Sequence, residues 1–93
     1  MNINDALKRA IYHHNENRIS EAEALYRSVL EFETNHPIAS VLLAKILLQT
    51  GRPNAVEKIL KTVISHHAYY MQAYNVMGDF YENKQKKLNA LRC

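Results

Sequence analysis

Shifted against itself by 34 residues, the chain repeats residue size and polarity along most of its length, and such a period admits few folds. Asn17-Arg18 falls on Gly51-Arg52 (51 − 17 = 34), and at the same shift Leu7 meets Val41, Ala10 meets Ala44, Ala22 meets Val56, Tyr26 meets Leu60, Val29 meets Val63 and Leu30 meets Ile64. A second shift carries Leu43 to Met77, Ala44 to Gly78, Leu47 to Tyr81 and Val56 to Ala90. A unit this short cannot enclose its own apolar face, so successive copies must stack on one another.

Within each copy the apolar spacing is helical. Ala6, Leu7, Ala10, Ile11 and His14 form one stripe of a first helix over residues 4–16, and Ala22, Leu25, Tyr26, Val29 and Leu30 continue a second over residues 20–33. Ser20-Glu21-Ala22-Glu23 has the pattern of a capping box opening that second helix. Pro37 suits the first turn of a third helix, and further helices are expected over residues 53–65 and 70–83, with a short sixth over residues 86–92. Gly51, and Asn17 at the equivalent place, supply residues that tolerate a left-handed turn. Only two glycines and two prolines occur in 93 residues, which fits long helices and short turns.

The segment Ala73 to Tyr81, AYNVMGDFY, resembles the first helix of a tetratricopeptide repeat (TPR), whose signature is large-x2-Leu-Gly-x2-Tyr. Residues 7–37 and 41–60 resemble the bacterial form of that unit, with Ala22, Tyr26 and Leu30 at its second-helix signature positions. The resemblance covers essentially the whole chain and shares the 34-residue period. It implies an all-α fold: a short α-solenoid of antiparallel helical hairpins, with repeats at about 3–36 and 37–70 and a truncated third at 71–93. Departures include Arg9 and His13 at apolar positions of the first repeat and Val56 in place of a small alanine in the second. Ala10, Ala44 and Gly78 are expected at close helix crossings.

Little in the sequence points to chemistry. The five histidines form two adjacent pairs, His13-His14 and His66-His67, plus His36. Neighbours on a helix diverge by about 100°, so no pair chelates an ion from one face, and neither a metal nor a cofactor is expected. The single cysteine, Cys93, excludes an internal disulfide and suggests a reducing, cytoplasmic setting. No apolar run approaches the ~18 residues of a membrane span, and the N-terminus lacks the apolar core of a signal peptide. Phosphate loops, nucleophile elbows and paired catalytic carboxylates are missing, so no enzyme is expected. Residues 1–35 carry four basic and six acidic side chains (net −2) and residues 36–93 eight basic and three acidic (net +5), a polarity that favours self-association or an acidic partner.

The TPR resemblance implies a non-catalytic interaction module, an adaptor, chaperone or assembly factor that holds a peptide or helix of another protein against its first helices. At 34-residue spacing three rows would line that surface: Leu7, Val41 and Asn75; Ile11, Lys45 and Asp79; His14, Leu48 and Glu82. Leu7 and Ile11 could equally belong to the core. A self-associating scaffold is one alternative. Val76, Phe80, Leu88 and Leu91 are expected to leave an apolar face open for a homodimer, because the last helix is too short to cover it. A weak nucleic-acid binder is the other, through Lys84, Lys86, Lys87 and Arg92 beside Phe80 and Tyr81.

Overall fold

The computed structural model describes residues 2–92 of the backbone and the side chains of residues 2–89. Five α-helices follow one another: α1 (Ile3–Asn15), α2 (Ile19–Phe32), α3 (Pro37–Gln49), α4 (Val56–His66), which a 3-10 turn at Pro53–Ala55 introduces, and α5 (Met71–Arg92). Each helix packs on the next, and α3 also packs on α5. The result is a slab of 49 × 30 × 18 Å.

The turns follow the sequence period closely. Asn17 and Gly51 are the residues with positive φ among those described, at 64° and 71°. Beside them, Arg18 N–H donates to the His13 carbonyl and Arg52 N–H to that of Leu47, both at 2.8 Å. These bonds span the end of α1 and of α3 and satisfy carbonyls that the helices leave free. The connections after α2 and α4 repeat as well: Glu33 N–H donates to Val29 and His67 N–H to Val63, at 2.9 and 2.7 Å. His36 caps α3, its Nδ1 accepting from Ala39 N–H at 3.3 Å. Asn2 does the same for α1 through Asp5 N–H, at 3.3 Å.

The third copy departs from the period, and the expected break before residue 86 does not occur. Position 85, one period beyond Gly51, is Gln85. A glutamine has no easy access to the left-handed region, so the helix runs straight on as α5 to Arg92. The truncated third copy is therefore one long helix, and the separate short sixth helix expected over residues 86–92 is its continuation.

The expected capping box is also corrected. Arg18, not Ser20, precedes the helix, and no side chain caps its first turn. Glu23, whose side chain is only 16% exposed, is drawn instead to two guanidinium groups: Arg27 at 3.0 Å, one turn along α2, and Arg52, 29 residues on, which binds through both terminal nitrogens. A carboxylate between two cations gains more than one returning to a backbone N–H. Arg52, above all, holds Glu23 below its ordinary pKa of 4.5; burial opposes it, and Arg27 assists. Because the folded-state value is depressed, this linkage stabilises the fold above about pH 4.5 and is lost as the pH falls through the lower value. Glu23→Gln should accordingly flatten the acid limb of a stability-against-pH curve, measured by urea unfolding, relative to the parent.

One core runs through both hairpins. Leu7 and Val41, Ala10 and Ala44, Ala22 and Val56, Tyr26 and Leu60, and Val29 and Val63 are all buried, so the period of the sequence is the period of the packing. Helix α3 lies in the middle, touching α2, α4 and α5, which explains why Val41, Leu43, Ile46 and Leu47 are buried around much of its circumference.

Two expectations about α5 fail together. Val76 and Phe80 are only 1% and 9% exposed, turned into the core rather than left open for a second copy. Leu88 is exposed, and the Leu91 side chain lies outside the described residues. Gly78, in contrast, sits on the outer surface, where an added Cβ would meet no atom within 4 Å. Ala10 and Ala44 are covered because each belongs to a hairpin, whereas among the described residues no helix returns over Gly78. Gly78→Ala should thus remove a helix-interior glycine without a clash and stabilise the protein by about 0.5–1 kcal/mol. A rise in the urea midpoint at unchanged slope would show it.

A candidate partner-binding groove

Between the first helices α1, α3 and α5 lies an open groove of about 780 Å³. Its walls are the exposed edges of stripes whose other edges form the core. Three rows build it. The first is Ile11, Lys45 and Asp79; the second is His14 and Leu48; the third is Asn15, Gln49 and Asn83, with Leu42 and Tyr26 at the floor.

Five of the nine residues expected there are therefore brought together: Ile11, His14, Lys45, Leu48 and Asp79. Leu7 and Val41, 7% and 2% exposed, belong to the core: each lies one turn before a groove residue, Ile11 or Lys45, and is rotated by about 40° toward the packed face. Asn75 and Glu82 are exposed but stand outside the groove lining, and Glu82 pairs with Lys86 at 3.6 Å.

The third row is not among the expected lining residues, although its signal is present in the period. Asn15, Gln49 and Asn83 are three carboxamides at consecutive 34-residue steps (49 − 15 = 34; 83 − 49 = 34). Each carries a donor and an acceptor, and side chains of that kind are recognised only when polar positions are aligned as carefully as apolar ones.

His14 ties the groove floor together. Its Nδ1 lies 3.3 Å from the Tyr26 hydroxyl and its Nε2 3.2 Å from Oε1 of Gln49. The amide oxygen can only accept, so Nε2–H donates to it while Nδ1 accepts from the tyrosine. Burial pushes the Tyr26 phenol up to about 12, which keeps that proton in place. One imidazole thus links α1 to α2 and α3, and it is fully engaged as a strut. Other histidines serve turns: His36 as the cap of α3, and His67 through Nε2 to the Asn35 carbonyl at 3.2 Å. Among the described residues no three His, Cys, Asp or Glu side chains gather as metal ligands would. No described helix is long and apolar enough to cross a membrane.

Repeated hairpins with matching turns, a shared core and a groove along their first helices define an α-helical repeat protein. The family model for the tetratricopeptide repeat matches residues 14–74, well over half of the chain, and the chain belongs to that family. Tetratricopeptide repeats generally mediate protein–protein interaction. Neither a curated protein nor a solved structure gives a significant match to the chain.

Proposed function

We propose that this chain is a non-catalytic adaptor, chaperone or assembly factor whose α1–α3–α5 groove holds an extended segment of a partner protein. The observation that supports this most is the row of carboxamides, Asn15, Gln49 and Asn83, along one groove beside the apolar edges of Ile11, Leu42 and Leu48. An extended segment presents free backbone N–H and C=O groups that carboxamides can pair, whereas the backbone of a bound helix is already satisfied within itself. Ile11 and Leu48 supply an apolar anchor, and carboxamides one repeat apart supply the register.

The reading is tested with peptides selected from a random dodecapeptide display library on the wild-type protein. Ile11→Gln combined with Leu48→Gln should weaken the selected peptides at least tenfold, about 1.4 kcal/mol. Lys58→Glu, on the exposed outer side of α4, should leave them unchanged. Equal affinity for wild type and the groove variant, with helicity intact, would place binding elsewhere.

A further inference from the structure

Two charges in the groove, Lys45 and Asp79, stand without an oppositely charged partner among the described residues, while some of the charges outside it are paired and others are not. Along the outer surface Glu23 holds Arg27 at 3.0 Å, Glu57 holds Lys61 at 2.7 Å and Glu82 faces Lys86 at 3.6 Å. Lys45 and Asp79 occupy successive positions of one row, on the packed helices α3 and α5, and both are exposed. Among the described residues neither has an oppositely charged group within 4.0 Å. The rest of the lining, from Ile11 on α1 to Asn83 on α5, carries no formal charge when His14 is neutral. Across the three first helices the groove therefore reads neutral, positive, negative.

From this order we infer that the partner segment is doubly charged, with an acidic side chain over α3 at Lys45 and a basic one over α5 at Asp79. The inference rests on the groove being the binding surface. Packed helices stand about 8–10 Å apart, and an extended chain advances about 3.3 Å per residue. The two charges of the segment accordingly lie two to four residues apart. A segment with the charges in the opposite order brings its acid to Asp79 and its base to Lys45, two like-charge contacts in place of two attractive ones. In an open, hydrated groove such pairs contribute little to affinity and much to choice between partners, because the wrong order is penalised at both positions. Segments carrying one sign of charge meet one attraction and one repulsion.

The same dodecapeptide library separates the possibilities when selected in parallel on wild type and on the double variant Lys45→Glu/Asp79→Lys. Both replaced residues are exposed helical positions, and circular dichroism confirms that the variant folds. On wild type the enriched peptides should carry an acid and a base two to four residues apart, in one consistent chain order. On the exchanged protein the order should reverse. For a single selected peptide, Lys45→Glu should weaken binding about tenfold at low salt, and replacing the peptide's acid with lysine should restore it. The same order on both proteins, or no enrichment of charge pairs on either, overturns the inference. If Ile11→Gln/Leu48→Gln abolishes binding while the charge exchange changes nothing, only the charge assignment falls. If the groove variant retains the same peptides at full affinity, the groove reading falls with it.

Discussion

Tyr26→Ala is expected to cost about 3–5 kcal/mol, the largest loss from any single truncation in this protein. Tyr26 heads the fully buried side chains by volume, with no part of it exposed. Its ring lies at the base of the first hairpin, edge-on to His14 with centroids 6.1 Å apart. Truncation would leave a void that the packed helices cannot collapse into without breaking their turns, and it would free His14 Nδ1 as well. A domain of this size has about 5–15 kcal/mol in total, so much of the margin would disappear. Tyr26→Phe separates the contributions: it keeps the ring and removes only the hydroxyl, with an expected loss of about 0.5–1.5 kcal/mol. Urea unfolding of the two variants measures the difference. A loss below about 1 kcal/mol for Tyr26→Ala would mean that the ring is not packed as described.

The second large effect is expected at Ala44. Ala44 is fully buried in the central helix α3. Ala44→Leu adds three carbons to a site without room and should destabilise the protein by about 1–3 kcal/mol or more through displaced helices. The period places Gly78 at the same position of the next copy, yet Gly78→Leu should be tolerated, because a Cβ there meets nothing within 4 Å. Thermal melts of these two variants compare one sequence position in two environments. Similar losses at both would show that a helix covers Gly78 after all.

The contrast between Ala44 and Gly78 also marks what the residues alone could reveal. Size and polarity at 34-residue spacing identified both hairpins, the left-handed turns at Asn17 and Gly51, and the paired core positions from Ala10 and Ala44 to Val29 and Val63. Those features depend on contacts within one hairpin or between neighbours, and the pattern of one copy constrains the other. Gly78 kept the residue type without keeping the neighbour, since Gln85 does not turn the chain back. The Ser20 capping box failed for a different reason: Arg52 lies 29 residues beyond Glu23 and comes beside it only after folding. In the groove, Lys45, Asp79, Ile11, His14 and Leu48 were found by their rows, while Leu7 and Val41 were placed one helical step too far outward. That error is one of phase. An amphipathic stripe shows where its centre is and leaves the edge between core and groove to be settled by how closely adjacent helices approach. The carboxamide row is invisible to an apolar pattern, in which polar residues carry no weight.

Backbone amide shifts of the isotope-labelled protein, followed by nuclear magnetic resonance during titration with a library-selected peptide, test the groove assignment most directly. Perturbations should cluster at Ile11, Asn15, Lys45, Gln49, Asp79 and Asn83, on the faces of three helices that meet only in the folded structure. Residues on the outer side of α4, such as Lys58, Lys61 and Thr62, should not move. Perturbations centred on that outer side, with the groove amides silent, would contradict the proposal that this protein binds its partner between α1, α3 and α5.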